Sequence, residues 1–449
     1  MLFDPIVALA TPPGRSALAV IRMSGRGVFE VAARCVRPLP DTPGAMRLTR
    51  LVHPVTGDLI DEPLVARYAA PHSYTGEDMV EVFTHGGLAV PAEAVAALVA
   101  AGARPAAPGE FARRALGNGK LDLLQAEATA DLIEAESPAQ RRRALQQLDR
   151  GLSRRLEGLR EDVLGLEALI AYDIDFPEED EGPIPEQRVT NAWHAARDRL
   201  ARLLATAADG ERLREGALLV IAGRPNAGKS SLFNALLGRD RAIVTELPGT
   251  TRDAIEAPAV IEGFPFRLVD TAGLRDTSDR VERLGIEVSR TYLAAADVIL
   301  FCDERIDDSS EVTAVRAAFI AQCRAPVLTV TTKGDLPQSR AIAQGELVVS
   351  AVTGEGLEQL RRALAELAFG RLATLGDVEP VVTRARHRLA LERALAEMDA
   401  FREARAQGVE AVVAATHLRA AVGALDELIG VVTPDDVLDR VFSTFCIGK

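Results

Sequence analysis

ALLVIAGRPNAGKSS, residues 217–231, decides how the middle of this chain folds. An apolar run from Ala217 to Ala222 opens into a glycine-bearing loop, Gly223 to Ser230, and a helical pattern, Ser231 to Leu237, follows at once. Strand, loop and helix in that order form a phosphate cradle: the glycines let backbone N–H groups turn inward around phosphate oxygens. Lys229 then reaches the outer phosphates, and the Ser230 hydroxyl suits Mg²⁺. A glycine turn without flanking strand and helix would carry none of this.

Working outward, residues 216–372 alternate strand and helix, as a parallel α/β sheet requires. Val298 to Cys302, Pro326 to Val330 and Leu347 to Ser350 read as buried strands. Glu282 to Leu293, Val312 to Gln322 and Leu357 to Leu367 read as covering helices. Four motifs follow the phosphate loop in fixed order. Gly249-Thr-Thr-Arg-Asp253 supplies a threonine that can sense Mg²⁺ and the γ-phosphate. Asp270-Thr-Ala-Gly-Leu274 follows a strand, so Asp270 can support Mg²⁺ while the Gly273 N–H faces the γ-phosphate. Thr332-Lys-Gly-Asp335 offers a carboxylate that can accept the N1 proton and the 2-amino group of guanine. Ser350-Ala-Val-Thr353 places backbone donors near the base oxygen.

In this order the motifs resemble the GTPase superfamily, with two departures. The usual guanine motif is Asn-Lys-x-Asp; Thr332 replaces Asn, which weakens one guanine contact and leaves Asp335 as the main discriminator. The glutamine that often orients the attacking water is replaced by Leu274. Glu282 is the nearest carboxylate downstream and can hold water, or it is a solvent-facing helix residue. The Asn226 side-chain oxygen can help bind a monovalent cation beside the phosphates.

A length of 449 residues exceeds what one core usually supports. The 52 Lys+Arg and 65 Asp+Glu give a net charge of −13, which argues against a broad nucleic-acid or membrane-surface binder. Cys35, Cys302, Cys323 and Cys446 show no paired spacing, so a reducing cytoplasm is expected. No apolar run approaches the roughly 18 residues of a spanning helix, and the alanine-rich segment Leu88 to Ala103 reads as an ordinary helix. His53, His72, His85, His194, His387 and His417 lack metal-ligand spacing.

Four segments are expected, in a multidomain chain. Residues 1–118 mix short β runs and helices as a compact α+β domain. Residues 119–215 are helical, with an acidic Pro-bearing loop at 176–183. The α/β P-loop, Ras-like module spans 216–372, and residues 373–449 are helical again. A sheet module bracketed by helices suggests insertion into one all-α domain.

Outside the module, ATPPGRSALAVIRMSG, SYTGEDMVEVFTHGG, PGEFARRALGNGKLDLLQAEA and the terminal FCIGK, together with GRPNAGKSS and DTAGLR running on to Val281-Glu282-Arg283, resemble the MnmE (TrmE) family of tRNA modification GTPases. The resemblance implies a K⁺-dependent, homodimeric GTPase with an N-terminal folate-binding and dimerisation domain. With its partner MnmG, which carries FAD and uses NADH, it forms a heterotetramer. That assembly adds an aminomethyl or carboxymethylaminomethyl group to carbon 5 of the wobble uridine, U34, in certain tRNAs. The tRNA would then be met mainly through the partner, and no membrane is expected to be involved.

By the same resemblance the nucleotide is lined by Asn226, Ala227, Gly228, Lys229, Ser230 and Ser231; by Thr245, Glu246, Leu247, Pro248, Gly249, Thr250 and Thr251; by Asp270, Thr271, Ala272 and Gly273; and by Thr332, Lys333, Asp335, Ser350 and Ala351. Asn226, Thr245, Leu247 and Thr250 would hold K⁺, and Ser230 and Thr251 Mg²⁺. Glu282 would position the water, and a cation fixed by the dimer would do the work of an arginine finger. Arg22, Glu81, Lys120 and Lys449 would bind a tetrahydrofolate derivative, 5,10-methylene or 5-formyl, since a pterin presents N–H donors to a carboxylate and a folate tail attracts cations. Cys446 is either a nucleophile near the one-carbon unit or a packed small side chain. The alternative function is a regulatory GTPase switch, as in ribosome assembly, without a modification role.

Overall fold

The computed structural model describes residues 4–175, 184–223, 226–238, 256–270, 291–303, 317–336, 347–375, 379–431, 435–443, 445 and 448. It divides into two compact units. One is residues 1–130 with 156–160 and 422–449; the other is 131–155 with 161–421.

The first unit is built on a six-stranded sheet. Its strands in spatial order are β4 (Met46–Leu48), β7 (Leu64–Tyr68), β8 (Met79–Gly87), β2 (Gly14–Ser24), β1 (Ile6–Leu9) and β9 (Arg104–Pro105). A small second sheet joins β3 (Val36–Arg37), β5 (Arg50–Val52) and β6 (Leu59–Asp61). Alternation along β2 and β8 turns Ile21, Met23, Val80 and Val82 into a core, which α1 (Val28–Ala33) and α2 (Ala89–Ala100) cover with Val28, Ala94 and Leu98. Helix α3 (Glu110–Gly117) packs through Ala112 against Phe442 and Phe445 of the C-terminal segment, with Ala126 and Ala130 of α4 (Leu123–Glu134) in the same cluster. Gly109 permits this approach, because a Cβ there would stand 2.7 Å from the Phe442 carbonyl oxygen.

The helical reading of residues 119–215 is refined at two points before the acidic loop. Ser137 caps α5 (Pro138–Leu148) in a capping box with Gln140, and Pro138 occupies the first turn. Arg150 takes a left-handed φ of 61° before α6 (Gly151–Asp175). The chain continues through α7 (Glu186–Leu204) and α8 (Ala207–Glu215). The later helix Ala385–Ala406 returns to pack on α7: the Trp193 indole N–H donates to the Met398 carbonyl at 2.7 Å, and Arg197 pairs with Asp399.

Between these helical parts lies a second six-stranded sheet, in the order β11 (Glu256–Ile261), β12 (Phe264–Asp270), β10 (Ala217–Gly223), β13 (Val298–Asp303), β14 (Val327–Thr331) and β15 (Leu347–Val348). Only β11 runs antiparallel. Strands β10 and β13 are apolar and buried along nearly their whole length, as strands covered on both faces must be. The module's two ends meet at Asp131. Its Oδ1 accepts from Arg214 Nε at 3.1 Å, just before β10, and from Arg384 Nη2 at 2.6 Å, just after the module. The outgoing strand of chain is held as well, by Gln147 on the Val381 carbonyl and by Thr206 Oγ1 on the Val382 N–H. At its far side, the turn between β11 and β12 accepts from the first turn of α5, Ala139 N–H to Gly263 O at 3.1 Å.

Candidate functional site

The parallel strands of the second sheet end on one side, where α/β proteins bind nucleotides. Strand β10 ends at Gly223, opposite Cys302 in the register. Asn226 adopts φ 63° and Gly228 φ 74°, which swings the backbone around the loop and starts α9 (Lys229–Leu237) without a side-chain cap. The first-turn N–H groups of α9 therefore face the cradle as anion donors. Lys229 is buried at the base of the loop. Cys302 lies under it, and burial pushes that thiol up to about 12, the nearby Lys229 charge opposing and Asp270 adding to the rise. Cys302 is a neutral packing residue.

Ser230 and Asp270 come from different elements and meet. The serine hydroxyl donates to Asp270 Oδ2 at 2.6 Å, and Asp270 ends β12 beside Ile221 of β10. Two hard oxygen donors on adjacent elements beside the cradle fit a Mg²⁺ ion, directly or through water.

On the base side, Asp335 is held by Ser350, whose hydroxyl donates to Asp335 Oδ1 at 2.7 Å. That oxygen of Ser350 also accepts from the Val352 and Thr353 N–H groups, at 3.2 and 3.1 Å, so the carboxylate is fixed through a serine that is itself fixed. The Gly334 N–H donates to the Val349 carbonyl, tying the two loops together. A cavity of about 210 Å³ opens here between Lys333, Leu336, Ala351 and Val352, with Asp335 in its wall. Mostly apolar walls and one anchored carboxylate suit a purine carrying N–H donors. Thr332 also lines this cavity, but its hydroxyl is turned to the protein: the residue is buried and donates to the Ala227 carbonyl at 2.7 Å.

A second cluster forms in the first unit. Arg22 and Glu81 are cross-strand partners on β2 and β8 and pair at 2.8 Å. Arg22 Nη1 donates to the Gly448 carbonyl at 3.3 Å, so the C-terminal segment reaches the sheet. The guanidinium lies 5.4 Å from the Tyr74 ring centre and 6.0 Å from that of Phe111, and the Tyr68 hydroxyl donates to Glu81 Oε2. Burial, and for Tyr68 the Glu81 charge, raises both tyrosine pKa values. Lys120 Nζ donates to the Pro71 carbonyl on the loop that carries Tyr74. Gly448 is required where it stands: a Cβ would come within 2.8 Å of Ala10 Cα and the Leu9 carbonyl oxygen.

The structure thus brings Ala227, Gly228, Lys229, Ser230, Asp270, Thr332, Asp335, Ser350 and Ala351 to one end of the sheet, and Arg22 and Glu81 to another site. Thr245 to Thr251, Thr271, Ala272, Gly273, Glu282, Cys446 and Lys449 lie outside the described residues. Sequence reasoning passed over Tyr68 and Tyr74, although SYTGEDMVEVF contains the second of them.

The family described as the MnmE helical domain matches residues 123–446, and that described as the GTP-binding protein TrmE N-terminus matches residues 5–120. The chain belongs to the MnmE family of tRNA modification GTPases. The MnmE of Aquifex aeolicus is 41% identical over 99% of this chain and 100% of its own length. That of Methylorubrum populi is 44% identical over 99% and 98%. The architecture is an α+β N-terminal region, helical segments and an inserted P-loop GTPase sheet. None of the described helices is long and apolar enough to cross a membrane.

Proposed function

We propose that this MnmE-family GTPase is a K⁺-activated, cytoplasmic homodimer that acts with MnmG on the wobble uridine of tRNA, with a tetrahydrofolate derivative as one-carbon donor. The observation that carries the folate reading is the Arg22–Glu81 pair, flanked by Tyr74 and Phe111 and met by the Gly448 carbonyl. A carboxylate beside aromatic rings fits a pterin, whose adjacent N–H donors match Glu81 and whose flat face suits the rings. Lys120 and Lys449 would take the carboxylates of the folate tail. Bound folate supplies a one-carbon unit; Cys446 stays a candidate nucleophile beside it.

At the nucleotide, Ser230 and Thr251 would hold Mg²⁺, and Asn226 with Thr245, Leu247 and Thr250 would hold K⁺. The left-handed Asn226 supports that reading, because it turns the residue to the rim of the cradle. A monovalent cation there supplies positive charge where the transition state gathers negative charge. Leu274 has no polar atom to orient water, so Glu282 takes that role. Glu282→Ala should keep guanine-nucleotide binding and lose at least about 10²-fold in turnover, the usual contribution of a positioned acid or base. Exchange of K⁺ for Na⁺ should slow the wild type sharply and leave the variant little changed; equal wild-type rates in the two salts would remove the cation from the scheme.

The modification role is tested by mass analysis of tRNA nucleosides from a deletion strain. Loss of the carbon-5 substituent on wobble uridine is expected. Unchanged wobble uridine would leave a regulatory switch as the function.

A further inference from the structure

The threonine that replaces asparagine in the base motif has its polar groups spent on protein. Thr332 Oγ1 has two carbonyl acceptors, Ala227 at 2.7 Å and Asp303 at 3.1 Å, and the Thr332 N–H donates to the Asp303 carbonyl at 2.7 Å. A hydroxyl has one hydrogen, and here it is engaged between loop carbonyls. The side chain is buried, and a Cβ on Gly228 would stand 3.7 Å from both Thr332 Cβ and Oγ1, so threonine packs directly on the phosphate loop. An asparagine amide carries two hydrogens: one can make the same tie, and the other remains for the base.

A guanine seated with its N1 and 2-amino edge on Asp335 turns its five-membered ring toward the phosphate loop, since the glycosidic bond leaves from that ring. The acceptor on that side is N7. Thr332 lines the cavity there, and the proton of its hydroxyl is committed to protein carbonyls. We propose that Thr332 is a positioning residue that fastens the base motif to the phosphate loop through the Ala227 carbonyl, and that this enzyme selects guanine at the Asp335 edge without reading N7. The proposal rests on the assignment of the cavity beside Asp335 to the base.

Equilibrium binding of GDP, 7-deaza-GDP and IDP to the full chain tests both statements. Wild type should bind 7-deaza-GDP within about twofold of GDP and should bind IDP, which lacks the 2-amino group, about tenfold or more weakly, as expected for a lost hydrogen bond to a charged acceptor. Thr332→Val keeps the shape and orphans a buried carbonyl, so GDP and 7-deaza-GDP should weaken together by about five- to twentyfold. Thr332→Ser should restore binding. Thr332→Asn should create a preference for GDP over 7-deaza-GDP. A tenfold loss for 7-deaza-GDP in the wild type would overturn the N7 statement, and a Thr332→Val variant that binds GDP as tightly as wild type would overturn the fastening role. IDP bound as tightly as GDP would instead overturn the assignment of the cavity, a separate and recognisable failure.

Discussion

Asp335→Asn is expected to lower GTP affinity by about 10²- to 10⁴-fold and to make XTP the better ligand. The carboxylate accepts two hydrogen bonds from guanine, and bonds to a charged group contribute about 1.5–3 kcal/mol each. An asparagine oxygen still accepts from N1 and from Ser350, whose hydroxyl stands 2.7 Å from Asp335 Oδ1. Its amide, however, meets the 2-amino group of guanine donor to donor. Xanthine carries an oxygen at that position, and the pairing is restored. Competition of GTP and XTP for the purified variant reads the effect directly, with Asp335→Ala as the control that should bind both poorly. An unchanged GTP to XTP ratio would show that Asp335 does not face the base.

Gly223→Ala should destabilise the nucleotide sheet strongly. The new Cβ would lie 2.1 Å from the Cys302 carbonyl oxygen and 3.0 Å from its carbon, both backbone atoms of the paired strand β13. Neither can step aside without parting β10 from β13. Overpacking of this kind costs about 1–3 kcal/mol or more, and the φ of 141° adds backbone strain of about 1–3 kcal/mol. Gly14 separates the two contributions, because its φ is 142° with nothing within 4 Å of a Cβ. Urea unfolding of Gly223→Ala and Gly14→Ala, followed by circular dichroism, should give a loss of about 3–5 kcal/mol in the first and a clearly smaller one in the second. Equal losses would mean that the sheet yields to the clash.

What could be read from the sequence follows from how each site is assembled. The nucleotide loops sit at the ends of consecutive strands, so GRPNAGKSS, Asp270 and Thr332-Lys-Gly-Asp335 appear as short contiguous words in a set order. Arg22 and Gly448 are joined by a hydrogen bond across almost the whole chain, and no local pattern announces such a pair. Family likeness, not residue chemistry, selected Arg22 and Glu81. Tyr68 and Tyr74 escaped because an aromatic residue in a strand or loop reads first as packing. The strands β4, β5 and β6 have three residues each, too few to display alternation. The break at Ser137-Pro138 was present as a Ser-Pro-x-Gln capping signature and is a case where the cue existed. Thr332 is legible as a departure from the usual asparagine, but its hydroxyl's partner is a carbonyl that the fold brings in from the phosphate loop, and no local pattern announces that contact.

The shared carboxylate of Asp131 has a consequence for how the chain reaches this state. Arg214 and Arg384 both donate to one oxygen, so chain positions about 170 residues apart are brought to within a few ångströms, and joining the ends of so long an unfolded loop costs about 4–5 kcal/mol of chain entropy. Once the inserted sheet has folded, its own ends lie together and the stretch left to close is about ten residues, which lowers that cost by about 2–3 kcal/mol. The helical segments before and after the module therefore find each other more readily when the module between them is already folded. Each half gains stability from the other's completion through the shortened loop alone, before a single side chain is counted.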